Sequence, residues 1–160
     1  MGTLDGLTQK NKMKLHEFIP LNSIFINVGV DSKKNAFKVI ANFFERKNPK
    51  LIGKITEKLN ERERLGTTTI GNGVAIPHTK VDGLEKTQVL FIRFSSKVDF
   101  SAADEKMVDI IFSIIAPENS QSEHLLILSS ISNFLRKKNC IQKIRKQKTA
   151  EDIYKLFGEN

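Results

Sequence analysis

Cysteine and histidine are both scarce in this sequence: Cys140 is the one cysteine, and there are three histidines. A single cysteine excludes a disulfide within the chain, and a chain without disulfides fits a reducing compartment. The histidines and the cysteine show no spacing typical of a pair of zinc ligands, so we expect no metal site.

The sequence also lacks long apolar runs. No stretch approaches the roughly 18 apolar residues of a membrane-spanning helix, so no membrane insertion is expected. The start, MGTLDGLTQKNK, has no apolar region of a signal peptide, and we therefore expect a cytoplasmic protein. Residues 1–12 are interpreted as a polar leader, either vector-derived or disordered, before a second candidate start at Met13. Residues 13–160 are interpreted as one domain.

Motifs that would indicate a nucleotide cofactor or a serine hydrolase are missing as well. The chain contains no Walker-type glycine loop and no dinucleotide-binding fingerprint, so no cofactor is expected. It also contains no G-x-S-x-G nucleophile elbow, which argues against a Ser–His–Asp hydrolase.

Positive charge is concentrated in one segment. The net charge is +8, and residues 136–148 contain seven basic residues and no acidic one, so the rest carries 8 − 7 = +1. Such a segment can bind nucleic acid, an acidic protein or a membrane surface, or can be a solvated helix face. It contains no aromatic residue for base stacking, which favours an acidic protein. Ile141 and Ile144 are expected to pack inward, and six basic side chains are expected in solvent: Lys137, Lys138, Lys143, Arg145, Lys146 and Lys148.

Hydrophobic patterns predict strands and helices in alternation. Segments rich in β-branched and aromatic residues predict strands at 24–29, 87–96 and 106–118. The last of these is apolar enough to be central, with both faces covered. Helical spacing predicts helices at 31–48, 48–66, 120–138 and 149–157. We therefore expect an α/β fold, one domain with helices packed on a sheet.

Capping residues predict the ends of these helices. Candidate caps and capping-box pairs precede all four, in chain order Ser32, Asn48 with Pro49, Ser120 with Glu123, and Thr149 with Asp152. Gly66 is expected to end the second helix. The apolar stripe of that helix is expected to comprise Leu51, Ile52, Ile55 and Leu59.

The stretch TTTIGNGVAIPHTK, Thr67 to Lys80, presents a histidine in a rigid frame. Gly71 and Gly73 permit backbone conformations closed to other residues, so the chain can turn sharply. Pro77 fixes its own φ and keeps the preceding residue extended. His78 is therefore placed as positional catalysis requires; a purely structural turn is the alternative.

Other polar residues could assemble around His78. Arg62 and Arg64 end the preceding helix, and the arginine fork suits a phosphate group. Thr67–Thr69 supply hydroxyl groups. His124 lies in the first turn of a predicted helix, which disfavours imidazolium and favours nearby anions. The alternative for His124 is a core histidine, because Leu128, Ile131 and Leu135 share its helical face.

The stretch RERLGTTTIGNGVAIPH resembles the active-site signature of enzyme IIA proteins of the phosphoenolpyruvate-dependent phosphotransferase system. The resemblance is to the fructose/mannitol class and closest to its nitrogen-regulatory branch. There, an arginine sixteen residues before the histidine precedes a G-x-G-[IV]-A-[IV]-P-H run, here Arg62 and residues 71–78. A second active-site histidine opens a helix in an H-L-x-x-L-S setting, which EHLLILSS matches at His124. The resemblance covers residues 21–157.

The resemblance implies an enzyme IIA type-2 domain over residues 13–160, with a mixed central β-sheet flanked by helices. It implies that His78 accepts a phosphoryl group from a phosphohistidine on a small HPr-like carrier, with Arg62 and His124 stabilising that group and no metal required. The loop residues expected beside the phosphate are Thr69, Gly71, Asn72 and Gly73. Thr79 stands where the family has a small residue, often glycine, and a β-branched residue does not easily take positive φ. We therefore expect a local backbone or a partner fit that differs there.

The leading functional hypothesis is a regulatory phosphocarrier whose phosphorylation state changes which proteins it binds. In the family these include potassium-transport components and nitrogen- or stress-linked regulators and sensors. Two alternatives remain: a sugar-specific enzyme IIA passing phosphate to a fructose/mannitol-type permease, and a basic nucleic-acid-binding module. The roughly two charges of a phosphoryl group are screened beyond about 10 Å at 0.1 M salt. We therefore favour the rim of the His78 pocket as the shared surface for carrier and regulated partner.

Overall fold

Six strands form one mixed sheet in the computed structural model, which describes residues 13–159. The strands are β1 (Ile24–Val28), β2 (Thr69–Gly71), β3 (Val74–Ala75), β4 (His78–Val81), β5 (Gln88–Val98) and β6 (Val108–Pro117). Their order is β1-β5-β6-β3-β2, and β4 also pairs with β6. The β5–β6 pair is antiparallel, whereas β1–β5, β3–β6 and β4–β6 are parallel, so the predicted mixed sheet is confirmed. The predicted leader, residues 1–12, lies outside the described residues.

The central strand is β6, as its apolar sequence predicts. Every residue of β6 before Pro117 is buried. Along one edge of β6, β3 and β4 follow each other, with Val74 opposite Ile110 and His78 opposite Ile114. This register fixes where the histidine loop lies on the sheet.

Five helices in the described chain cover the two faces of the sheet. One core cluster contains Ile111 and Ile115 with residues of α1 (Lys33–Lys47) and α2 (Lys54–Leu65). The other contains Ile110 and Ile114 with residues of α3 (Glu123–Leu135), α4 (Cys140–Lys146) and α5 (Ala150–Phe157). The split follows from the alternation of side chains along a strand. None of the helices described is both long and apolar enough to span a membrane.

Two helices begin at the predicted caps. The Ser32 hydroxyl oxygen accepts a hydrogen bond from the Asn35 backbone N–H at 3.1 Å at the start of α1. The Thr149 hydroxyl oxygen accepts one from Asp152 at 3.1 Å at the start of α5. Both interactions are local, which explains why sequence spacing predicts them.

The predicted start of the second helix is wrong. Pro49–Leu51 form a separate 3-10 turn, and α2 begins at Lys54 because Gly53 takes φ +83° between them. Ile52, predicted on the apolar stripe, falls in this break and is 71% exposed. The predicted end at Gly66 is confirmed.

A buried acid caps α2 in place of Asn48. The Glu45 carboxylate accepts hydrogen bonds from the backbone N–H of Gly53 at 2.6 Å and of Thr56 at 3.2 Å. The Asn48 amide instead exchanges hydrogen bonds with the Gln88 side chain at 2.9 and 3.0 Å. A tertiary partner on α1 thus replaces the local cap.

The predicted capping box before α3 is also absent. Ser122 occupies the N-cap position and makes no side-chain capping hydrogen bond. The Ser120 hydroxyl lies instead 3.5 Å from Nδ1 of His124. The basic segment then forms α4 as a helix separate from α3, after Asn139 with φ +61°.

Candidate functional site

The segment leading to His78 is held in place on both sides. The Ile76 N–H donates to the Thr68 carbonyl at 2.9 Å. The Pro77 carbonyl accepts from the Ile114 N–H at 3.0 Å and from the buried Ser113 hydroxyl at 2.7 Å. Pro77 has a fixed φ and no N–H, and its carbonyl oxygen accepts two hydrogen bonds. The backbone before His78 is therefore rigid, as its sequence predicts.

The His78 imidazole is oriented by its own loop. Nδ1 lies 2.7 Å from the Ile76 carbonyl oxygen. A carbonyl only accepts hydrogen bonds, so Nδ1 must donate, and in the neutral ring the lone pair is on Nε2. Within residues 13–159 no hydrogen bond reaches Nε2. The ring therefore presents a free nucleophilic nitrogen.

A cavity of about 210 Å³ adjoins this imidazole. Seven residues line it: Arg62, His78, Thr79, Lys80, Ile114, His124 and Leu128. The structure therefore brings together Arg62 from α2, His78 from β4 and His124 from α3, the three side chains predicted to share a site. We call this the His78 cavity.

His124 occupies the first turn of α3 and is partly exposed to the His78 cavity rather than sealed in the core. Burial, followed by the positive charges of Lys80 and His78, lowers the pKa of His124 below its ordinary value. His124 is therefore neutral at pH 7. If the Ser120 hydroxyl donates to Nδ1, the remaining ring proton is on Nε2 and is available to an anion.

Arg62 is held at the C-terminal end of α2. Its Nη1 donates to the Gly66 carbonyl oxygen at 3.0 Å, and its side chain still lines the His78 cavity. The adjacent Glu63 fixes the following loop, because its carboxylate accepts from the Thr68 hydroxyl at 2.7 Å and pairs with Lys33 at 2.9 Å. Arg64 is exposed and does not line the cavity.

Sequence reasoning missed Lys80 as a neighbour of His78. Both residues line the cavity and are two positions apart on β4. Side chains two residues apart on a strand share a face, so the strand period could have identified Lys80. Thr79 lies in regular strand pairing with Ile115 and is not among the residues with positive φ. Thr79 therefore takes a backbone conformation that a β-branched residue adopts without strain.

The four loop residues predicted beside the phosphate lie outside the wall of the His78 cavity. Gly71, Asn72 and Gly73 form the turn between β2 and β3, with φ of +95°, +57° and +82°. Asn72 and Gly73 line a different cleft. The Thr69 hydroxyl pairs with that of Thr67 at 3.0 Å. The positive φ values of this turn explain why glycine occurs at positions 71 and 73, without any contact with the His78 cavity.

Arg145 is not the solvated residue that was predicted. Its Nε and Nη2 form a two-pronged ion pair with Asp109 at 2.9 and 2.8 Å, and Nη2 also donates to the Asn72 carbonyl at 2.9 Å. Ile144 is buried as predicted, whereas Ile141 is only partly buried. Among residues 13–159, no three histidine, cysteine, aspartate or glutamate side chains are grouped to hold a metal ion.

Nine-tenths of the chain is similar to known proteins. The family model described as "Phosphoenolpyruvate-dependent sugar phosphotransferase system, EIIA 2" matches residues 17–160. The nitrogen regulatory protein of Bradyrhizobium diazoefficiens is 36% identical over 91% of this chain and 95% of its own. The nitrogen regulatory protein homolog of Haemophilus influenzae is 34% identical over 91% of each chain. The crystal structure of nitrogen regulatory protein IIA-Ntr from Neisseria meningitidis matches with a TM-score of 0.83 and 34% identity, over 89% of this chain and 98% of that one.

Proposed function

Because the chain belongs to the EIIA 2 family of the phosphoenolpyruvate-dependent sugar phosphotransferase system, we propose that it is a phosphocarrier whose phosphoryl group is carried on Nε2 of His78. The observation that supports this most directly is the hydrogen bond from Nδ1 to the Ile76 carbonyl. It leaves the other nitrogen as a nucleophile beside a cavity with cationic and neutral donors. A rigid frame of this kind reduces the cost of positioning the ring for in-line transfer.

The transfer step exchanges one phosphorus–nitrogen bond for another. The bond between phosphorus and the histidine nitrogen of an HPr-like donor breaks, and the donor nitrogen keeps the electron pair. A new bond forms between phosphorus and Nε2 of His78. The neutral ring thereby becomes an N-phosphoryl imidazolium, and the Nδ1–H bond to the Ile76 carbonyl stabilises its charge.

The cavity residues supply charge stabilisation, which is the main task of a protein in phosphoryl transfer. Arg62 and Lys80 are the cations in the cavity wall, and both suit the equatorial phosphoryl oxygens. His124 donates from Nε2 while staying neutral, because the Lys80 and His78 charges and its burial oppose protonation. The mechanism thus uses the two histidines and the two cationic side chains that line the cavity.

The regulatory role is proposed from the relatives. Proteins 34–36% identical over nine-tenths of the chain bear the name nitrogen regulatory protein. We infer a cytoplasmic phosphocarrier loaded by an HPr-like donor, whose phosphorylation state selects its partners, potassium-transport or sensor components among them. Efficient delivery of the phosphate to a fructose/mannitol-type permease domain would assign sugar transport instead.

The test is intact-mass analysis after incubation with phosphoenolpyruvate, enzyme I and an HPr-like carrier. The wild-type chain should gain one acid-labile phosphoryl group, and His78→Ala should gain none. His16→Ala is the matched control, because His16 does not line the cavity. Its ring packs edge-on against that of Tyr154, with 5.7 Å between the ring centroids. Full labelling of folded His78→Ala would refute the assignment.

A further inference from the structure

A second cleft, of about 660 Å³, contains basic residues that are scattered in the sequence. Its charged wall comprises Lys97 and Lys106 as well as Lys137 and Arg145. Only the last two belong to the basic segment at 136–148. We call this the basic cleft, and its floor includes Met107, Leu135 and Ile141.

One wall of the basic cleft is held together by hydrogen bonds and an ion pair between segments that are distant in the sequence. Arg145 joins α4 to β6 through Asp109 and to the β2–β3 turn through the Asn72 carbonyl. The Asn72 N–H is held by the Asp104 carboxylate at 2.9 Å. Gly73 is required at this point, because a Cβ atom there would lie 2.5 Å from Nη2 of Arg145. These contacts connect the turn, β6 and α4 along this wall.

Three lysines in the wall form no salt bridge with any described residue. Among the described residues, no carboxylate oxygen lies within 4.0 Å of the ammonium nitrogen of Lys97, Lys106 or Lys137. The Lys106 ammonium donates to the Asn72 amide oxygen at 3.3 Å, and the Lys106 backbone N–H donates to the Asp104 carboxylate at 3.0 Å. Three ammonium groups without a salt bridge lie around one concave surface, and Asp104 offsets part of the Lys106 charge. The remaining positive charge favours a ligand with several negative charges.

The floor of the basic cleft narrows the choice of ligand. Met107 is 46% exposed, and Leu135 and Ile141 are partly buried. No aromatic ring is among the described residues that line the cleft, so nothing there would stack on a base. Lysines around an apolar floor match a protein segment in which acidic side chains flank an apolar one.

We propose that the basic cleft is a docking site for an acidic segment of a partner protein. Its carboxylates would meet Lys97, Lys106 and Lys137, and one apolar side chain would rest on Met107. This goes beyond the phosphocarrier function, because the cleft and the His78 cavity are at opposite ends of α3, lined by Leu135 and His124 respectively. Eleven residues of helix separate these two, roughly 16 Å.

That separation makes docking in the cleft independent of phosphorylation. Along β6 the two sites are also apart, since Gly73 precedes the Val74–Ile110 pair and His78 is opposite Ile114. Four residues of strand span roughly 13 Å. This exceeds the screening length of about 10 Å at 0.1 M salt. The cleft would therefore hold a partner whether or not His78 carries phosphate.

Fluorescence anisotropy with a labelled glutamate-rich peptide containing a leucine pair tests the proposal on the full chain. The cleft variant K97E/K106E/K137E should lose at least about tenfold in affinity. The matched control K34E/K50E/K155E makes the same change in net charge at exposed lysines outside the cleft and should lose less than about twofold. Replacing the leucines of the peptide by serine should weaken binding to the wild-type chain, and the peptide should shift backbone NMR signals at 106–107 and 135–142.

Four results would overturn the proposal. Equal losses in the two variants would mean that overall charge alone attracts the peptide. Equal binding of the leucine and serine peptides would mean a site for any polyanion. Tighter binding of duplex DNA, lost in the cleft variant, would assign nucleic acid. Absence of peptide binding below about 1 mM would leave no docking site of useful affinity.

Discussion

At the scale of single residues, the chemistry depends on which ring nitrogen of each histidine is free. The Ile76 carbonyl fixes the His78 proton on Nδ1, and the Ser120 hydroxyl lies beside Nδ1 of His124. Both rings can therefore direct Nε2 toward the same cavity; in the mechanism we propose, His78 accepts the phosphoryl group and His124 donates a hydrogen bond to it. Cationic side chains complete the wall.

Arg62 should matter for phosphoryl transfer more than for stability. We expect Arg62→Ala to slow phosphorylation of His78 by on the order of 10²-fold, because it removes a charge placed to stabilise the transferring group. Its loss of one exposed hydrogen bond to Gly66 should cost only about 1 kcal/mol of unfolding free energy. Rapid-quench phosphorylation and urea denaturation measure the two effects. Arg64→Ala, two residues along the same helix but outside the cavity, should change neither.

The positive charge of Lys80 should lower the pKa of His124. Burial is the larger cause of the lowered His124 pKa and the Lys80 charge the next, so Lys80→Met should raise that pKa toward the ordinary value of about 6.5. An NMR pH titration of the ring signals measures the shift. Lys86→Met, which changes an exposed lysine outside the cavity, is the control. Equal shifts in both variants would mean that Lys80 does not act on the ring directly.

The same pKa shift sets a pH dependence of stability. The folded protein binds the His124 proton more weakly than the unfolded chain, so protonation favours unfolding. The contribution of His124 to stability should be complete above about pH 6.5 and should be lost as the pH falls through the folded pKa. Urea unfolding from pH 7.5 to 5 should therefore show a steeper decline for the wild type than for His124→Gln. Parallel curves would contradict this.

At the scale of helices and strands, the two caps that the sequence predicts correctly, Ser32 and Thr149, are both local interactions. Thr149→Ala should lower the unfolding free energy by about 1 kcal/mol, because the threonine hydroxyl satisfies the Asp152 N–H at the start of α5. Ser122→Ala at the start of α3 is the control, since Ser122 makes no capping hydrogen bond and should change stability by no more than a few tenths of a kcal/mol. Thermal denaturation of the two variants measures both losses of stability. A larger loss for Ser122→Ala would contradict the assignment of caps.

The β2–β3 turn depends on one glycine. Gly73→Ala should lower the unfolding free energy by about 1–3 kcal/mol, because φ is +82° and the new methyl group would meet Arg145 and the Met107 carbonyl. Gly66→Ala is the control, since a Cβ atom there has nothing within 4 Å. Urea denaturation measures both. Equal stability of the two variants would show that Arg145 moves aside without cost.

At the scale of the whole molecule, the exposed lysines of the basic segment at 136–148 lie outside the His78 cavity. The charge-reversal variant K143E/K146E/K148E should accept phosphate from the carrier at the wild-type rate in 0.1 M salt. Its changes lie at exposed positions in or just after α4 that do not line the His78 cavity, so screening isolates them from transfer. Quenched time courses of phosphorylation over a range of salt concentrations measure the transfer rate. A severalfold slower rate at 0.1 M salt would mean that the carrier docks across the basic segment rather than at the cavity rim.

The sequence by itself determined the features that depend on neighbours in the chain. The apolar run of β6 predicts its central position, and Ser32 and Thr149 predict their helix starts. The G-N-G and Pro77 pattern predicts a rigid frame for His78, since glycine and proline act on their own backbone. Residue type and predicted position make Arg62, Arg64 and His124 candidates for the same site. The resemblance to a known signature selects Arg62 and His124, because no spacing along one helix or strand connects them with His78.

Only the tertiary structure decided what depends on distant partners. Glu45 on α1 caps α2 and so moves its start from Asn48 to Lys54, and Asp109 withdraws Arg145 from solvent. The register of β3 and β4 on β6 separates the β2–β3 turn from the His78 cavity. The fold also brings Lys97 and Lys106 into one cleft with residues of α4. A buried carboxylate or an ion pair acts through space on whichever segment the fold brings within reach, and a sequence pattern records only what lies within a few residues.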